Sequence, residues 1–262
     1  MKNNRITIYQ FSFCCFLSSL TFLLFIDYNP SLMNFSAIIM SLLIDTLIVF
    51  LYKGKANKIF NAVIALYLTA FCVIICYEFC RYMYYDLGYG PLWGIALVIL
   101  GFTYFCTVKG IEPLYRAAVI ISVFVFFSIL FVAISSIQNI KFDFKISEIN
   151  NLVIPFLLLF PSVIYILNFD NIIKEKKFAF NIYSVVLLLS LIYFHLLPKD
   201  KIAVGIFKGA DGVLLAVLTV AVIYYISNSS VALFKGFKHR YISNLLYLSV
   251  IFALSITALY IL

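Results

Sequence analysis

The chain has 262 residues, of which 65% are hydrophobic and only 11% charged, with a mean hydropathy of +1.10; a soluble domain is nearer half apolar and a quarter charged. A helical crossing of a bilayer takes roughly 20 apolar residues, so nine crossings use about 180 positions and leave loops and tails, which argues against a kinase, a nuclease or a nucleotide-driven pump. The net charge of +8 is read as topology and not as nucleic-acid binding, because Lys and Arg in a membrane protein mark the loops held in the cytoplasm.

The first apolar run, about 7 to 27, follows Met1-Lys2-Asn3-Asn4-Arg5 and ends at Asp27-Tyr28-Asn29-Pro30 without a small-residue cleavage site, which predicts an uncleaved first helix. Its polar patch, Cys14 to Thr21, contains Ser18 and Ser19. The second run, about 32 to 52, carries Asp45 well inside it. A carboxylate at that depth costs roughly 3 kcal/mol on insertion scales, so Asp45 is either neutral and bonded locally, for instance to Ser41, or a proton or cation coupling site. In the third run, about 59 to 85, Glu78, Arg81, Tyr82 and Tyr85 share one face, as a local ion pair with an interfacial aromatic belt or as an outer gate. Cys72, Cys76 and Cys80 form a thiol stripe there, with no histidine or second cluster of the kind a metal site recruits; no metal and no cofactor are expected. With Cys14, Cys15 and Cys106 they all lie in apolar stretches and read as small buried residues, not as a disulfide framework.

The fourth and fifth runs, about 91 to 108 and 115 to 138, open after Pro91 and Pro113. Glu112 and Arg116, four residues apart at the start of the fifth helix, predict a structural salt bridge. The sixth run, about 152 to 169, holds Pro155 and Pro161, each removing a backbone hydrogen bond that hydrocarbon does not replace. Two readings stand: a packed proline kink, or a discontinuous helix whose freed backbone groups bind ion or substrate, with Ser162 and Tyr165 beside it. The last three runs lie at about 178 to 197, 212 to 230 and 242 to 262. The eighth ends in Ser227-Asn228-Ser229-Ser230, either hydrogen-bonding glue between helices or part of a site. His195 and His239, the two histidines, have no carboxylate or nucleophile close in sequence.

With the amino terminus inside, thirteen of the nineteen Lys and Arg residues fall on the cytoplasmic side, and an odd helix number puts the carboxyl terminus outside. Helix six then runs opposite to helix one, as the start of an inverted copy does, with the partner break expected near Ser18-Ser19. The fold class is all-α: a polytopic transmembrane bundle of about nine helices, forming one transmembrane domain and an incomplete five-plus-five inverted repeat.

Several patterns occur in the order seen in one family: Ile6-Thr7-Ile8-Tyr9-Gln10 opening helix one, Pro91-Leu92-Trp93 opening helix four, and Tyr104 with Gly110-Ile111-Glu112 and Arg116 at the next turn. Asp143 with Asn151-Leu152 and Pro155 leads into helix six. In these the chain resembles the B-subunit permease of endospore germinant receptors, within the amino acid/polyamine/organocation transporter superfamily. Ser18 and Ser19 stand where that family has glycines, and the chain is shorter than its typical members. The resemblance implies a ten-helix inverted-repeat bundle that senses small germinants such as amino acids, sugars or nucleosides together with two partner subunits, in the spore inner membrane or cell membrane.

Paired carboxylates, a nucleophile with its base, and phosphate loops are all lacking, so no enzyme activity is expected. The expected role is binding of a small polar solute, with Ser18, Ser19, Ser162, Tyr165, Ser227 and Asn228 as candidate ligands and Asp45 as candidate coupling group. Pro155, Pro161, Glu112 and Arg116 are expected to be structural. The rival readings are a proton- or sodium-coupled amino acid transporter and a non-transporting membrane scaffold.

Overall fold

A computed structural model describes residues 6–25, 32–52, 58–136, 163–173, 209–235 and 239–261. The seventh expected crossing, Pro155, Pro161, Ser162 and His195 lie outside the described residues. Strand β1 (Ile6–Thr7) runs into α1 (Ile8–Ser19), which tightens into a 3-10 turn at Leu20–Leu24; α2 (Leu32–Leu51) and α3 (Lys58–Arg81) follow, the latter ending in a π-helical turn at Tyr82–Asp86. Then come α4 (Leu92–Val108), α5 (Ile111–Ser136), the short α6 (Val163–Asn168) with a 3-10 turn at Phe169–Asn171, and β2 (Ile172–Ile173). The last two helices are α7 (Ala210–Leu233) and α8 (Arg240–Ile261).

Helix starts follow local chemistry. Thr7 Oγ1 accepts from the Gln10 N–H at 3.2 Å, and Gln10 Oε1 accepts from the Thr7 N–H at 3.1 Å. This reciprocal capping box satisfies two of the backbone donors that a helix leaves open at its first turn, and explains the Thr-x-x-Gln spacing. Pro91 sits at the start of α4 in extended conformation. At Gly110, φ is +93°, a left-handed conformation that ends α4 and lets α5 begin at once. Helix α5 therefore starts four residues before the apolar run does: Pro113 falls within its first turn, where the missing N–H is no loss. Glu112 and Arg116 form an ion pair there, and Arg81 Nε meets Glu78 Oε2 at 2.9 Å at the far end of α3.

Among the described residues, four stretches are long and apolar enough to cross a bilayer: Lys58–Tyr85, Ile111–Ser135, Gly212–Leu233 and Arg240–Ile261. Shorter apolar helices cover Ile8–Leu24, Ile39–Leu51 and Leu92–Val108. Phe102, Phe105, Phe124, Phe127 and Leu66 all stand exposed on α3, α4 and α5, a surface that water does not tolerate but lipid does. The protein is membrane-embedded and helical.

Helix α7 is the hub. In its most apolar stretch 61% of residues are buried by the other helices, against 28–33% in the other three spans. It packs on α1, α3, α4, α5 and α6, while α8 bridges α3 and α4, and α1 lies on α5. An all-round apolar helix belongs inside. At one end of the bundle the chain ties itself together: β1 pairs with β2 in parallel, Ile6 opposite Ile172 and Thr7 opposite Ile173, a ladder that hydropathy does not announce. Lys235 Nζ donates to the Leu167 carbonyl at 2.8 Å, and Arg240 Nη2 to the Val108 carbonyl at 3.3 Å. Lys235 and Arg240 thus cap helix carboxyl ends, of α6 and α4, where carbonyls are open and the dipole is negative.

Candidate functional site

The polar run at the end of α7 is entirely buried: Ser227, Asn228, Ser229 and Ser230 are each 0% exposed. Successive residues of an α-helix turn by about 100°, so four in a row point at four different walls. Ser227 faces the Cys106 thiol of α4, Asn228 Oδ1 accepts from the Tyr115 hydroxyl of α5, Ser229 faces Cys72 of α3, and Ser230 Oγ donates to Asn244 Oδ1 of α8 at 3.1 Å. The tetrad joins the hub to its neighbours. It also leaves donors over: among the described residues, Ser227 Oγ and Asn228 Nδ2 have no hydrogen-bond partner. A group so placed costs about 1–3 kcal/mol unless something fills the space beside it.

From Asn228 a chain of rings leads to the end of α6. Tyr115 stacks on Phe11 with centroids 6.2 Å apart, and Phe11 meets Tyr165 at 5.6 Å. Tyr165 packs edge-on against Phe169 at 5.4 Å and Tyr52 at 6.5 Å. Two of the expected ligands, Asn228 and Tyr165, therefore flank one aromatic connection whose intermediates, Phe11 and Tyr115, apolar patterning does not single out.

On α1, Ser18 Oγ donates to the Cys14 carbonyl at 2.9 Å and Thr21 Oγ1 to the Ser18 carbonyl at 2.7 Å. These bonds sit where the α-helix gives way to the 3-10 turn between Ser19 and Leu20. Hydroxyl back-bonding of this kind loosens the ladder locally, so the pitch changes in the patch where the expected break lies, without glycine or proline. Ser19 is buried in the same turn. Asp45, on α2, is 0% exposed and lies within electrostatic reach of Cys15 on α1 and Tyr67 on α3, one turn before Ser18-Ser19. Among the described residues, Asp45 with the α1 turn forms one buried polar region and the α7 tetrad with Tyr115 another.

Cys72, Cys76 and Cys80 are buried along α3, and no group of three or more His, Cys, Asp or Glu side chains is arranged to hold a metal among the described residues. Comparison of the chain with protein-family models, with curated proteins and with solved structures finds no match.

Proposed function

We propose that this chain is a permease-like membrane protein of the spore germinant receptor kind, which binds a small polar solute inside the bundle and acts with partner subunits. The observation that carries the solute-binding reading is the pair of unfilled buried donors, Ser227 Oγ and Asn228 Nδ2, on the central helix. Buried polar atoms in a membrane core are costly and mark pathways and sites. A solute with carbonyl or carboxylate acceptors takes the two donors, and Tyr165 stands at the other end of the ring series. The germinant receptor assignment draws on the sequence patterns. Of these, Ile6–Gln10 caps α1, and Gly110 seats the α4–α5 turn against Arg240.

The test is recovery of the tagged chain from membranes of dormant spores and of growing cells. Spore-specific recovery with two unlike partner subunits is the expected result; recovery from growing cells alone, without partners, refutes the receptor assignment. A second reading, a proton- or sodium-coupled secondary transporter, is favoured by the full burial of Asp45 beside Cys15 and Tyr67. Gradient-driven uptake of labelled amino acids into proteoliposomes, with Asp45→Asn altering its pH dependence, is its expected signature, and no uptake under any imposed gradient removes it. The scaffold reading survives only if Asn228→Ala and Ser227→Ala leave every solute response unchanged.

A further inference from the structure

The tied end of the bundle, where β1 pairs with β2, also collects the basic side chains. Among the described residues, Lys58, Lys109, Arg116, Lys235 and Arg240 lie at this end, on the starts of α3, α5 and α8 and on the turns beside them, while Arg81 lies at the other. The carboxylates described at the tied end are already matched: Glu112 pairs with Arg116, and Asp170 lies within electrostatic reach of Lys235. Among the described residues, no acid pairs with Arg240 or Lys109. These two cations meet at one turn. Arg240 Nη2 donates to the Val108 carbonyl at 3.3 Å, and Gly110 lacks the Cβ that would stand 2.5 Å from Nη1, so the guanidinium lies over the residues on both sides of the exposed Lys109. The Val108 bond uses one of the five N–H donors of the guanidinium.

The depth of this turn in the bilayer follows from α8. Its exposed face opens at Tyr241 and closes at Tyr260, with Leu245, Leu246, Val250 and Leu254 exposed between them. Some 19 residues at 1.5 Å each make about 28 Å, close to the roughly 30 Å of the hydrocarbon core, and tyrosines mark its two boundaries. The Arg240 guanidinium lies 5.8 Å from the Tyr241 ring centroid, so Arg240 and the turn it covers stand at headgroup level, where lipid phosphates lie. A phosphodiester supplies the acceptors that the guanidinium fork is shaped for, and basic groups between helix ends at this level attract anionic lipids. A zwitterionic headgroup brings its own cation and gains less.

We propose that Arg240 and Lys109, with the Tyr241 ring beside them, hold the headgroup of an anionic phospholipid at the junction of the α4–α5 turn with α8. The phosphate takes the open N–H groups of the guanidinium and the Lys109 ammonium, and the acyl chains run down the exposed apolar face of α8. The surface is separate from the buried Asn228 donors and does not rest on the solute-binding reading.

The test is native mass spectrometry of the full purified chain, released from detergent that contains phosphatidylglycerol and phosphatidylcholine with the same acyl chains. The expected result is preferential retention of phosphatidylglycerol. Arg240→Gln and Lys109→Gln should each reduce that preference about fivefold, the effect of removing one cation near a charged lipid surface, and Arg81→Gln should leave it unchanged. Should Arg240→Gln fail to fold, Lys109→Gln carries the test, since that side chain is exposed. Equal retention of the two lipids refutes the proposal. A loss on Lys58→Gln as large as on Arg240→Gln refutes it too, because the attraction then belongs to the charge of the whole end and not to this junction. Glycerol 3-phosphate binding as tightly as the lipid would make the ligand a soluble phosphate ester and overturn the lipid assignment.

Discussion

Gly110→Ala tests the tied end of the bundle at its tightest point. A Cβ at this position would lie 2.5 Å from Arg240 Nη1 and 3.0 Å from Cζ and Nη2, on a backbone at φ +93°. Two costs follow. The left-handed conformation costs a non-glycine residue about 1–2 kcal/mol, whatever surrounds it. The guanidinium, at the end of a flexible side chain, moves aside and gives up its bond to the Val108 carbonyl, a partly buried charge-assisted contact of 3.3 Å worth about 1.5 kcal/mol at the low end of its range. The expected total is about 3 kcal/mol. In an Arg240→Ala background the second cost has already been met, so the same substitution should take only about 1–2 kcal/mol. A double-mutant cycle read by detergent-driven unfolding therefore has an expected coupling of about 1.5 kcal/mol. Equal costs in both backgrounds would mean that Arg240 does not lie over Gly110. A cost below about 0.5 kcal/mol would mean that the turn is not left-handed.

Three further outcomes follow from the same contacts. Thr7→Ala removes the side-chain half of the capping box and should cost about 1 kcal/mol, with faster amide exchange at Gln10 as the local readout. Asn228→Ala leaves the Tyr115 hydroxyl buried without an acceptor and should cost about 1–3 kcal/mol, most of which the Tyr115→Phe background should recover; additive costs would deny the contact. Lys235 sits exposed at the rim, but its ammonium end is covered against α6, and this desolvation draws its pKa below the usual lysine value while Asp170 opposes the shift. The folded chain then releases this proton at lower pH than the unfolded chain, which binds more protons in between. Stability contributed at Lys235 should therefore rise as pH rises through the window below 10.5, the ordinary value; Lys235→Met should lack that rise, and identical pH profiles would count against the burial of its ammonium.

The membrane class and most helix ends are written locally. Hydropathy is a sum over single residues, so the runs opening near Leu32, Lys58, Leu92 and Arg240 are legible without knowing any neighbour, and so are the Thr7–Gln10 cap and the Glu112–Arg116 spacing, whose partners are three or four residues apart. Where apolarity and helix diverge, as at Ile111 to Leu114, glycine and proline chemistry sets the boundary. Candidate site residues were legible as polar exceptions in apolar runs, which is how Asp45, Ser18 and the α7 tetrad stand out.

What each exception does is a tertiary matter. Helix α7 is apolar over most of its length, so its sequence favours no inward face, and only packing on its neighbours makes it the hub. The tetrad could be one ligand cluster or four separate contacts on composition alone; the 100° turn between residues, set against helices whose order around α7 is non-local, makes it four. Phe11 and Tyr115 gain their place between Asn228 and Tyr165 from helices more than a hundred residues apart in sequence, and the β1–β2 ladder joins Ile6 to Ile172. Composition and spacing are short-range properties and determined that this chain lives in lipid as helices; partner choice across helices depends on long-range packing, and that is what the tertiary structure decided.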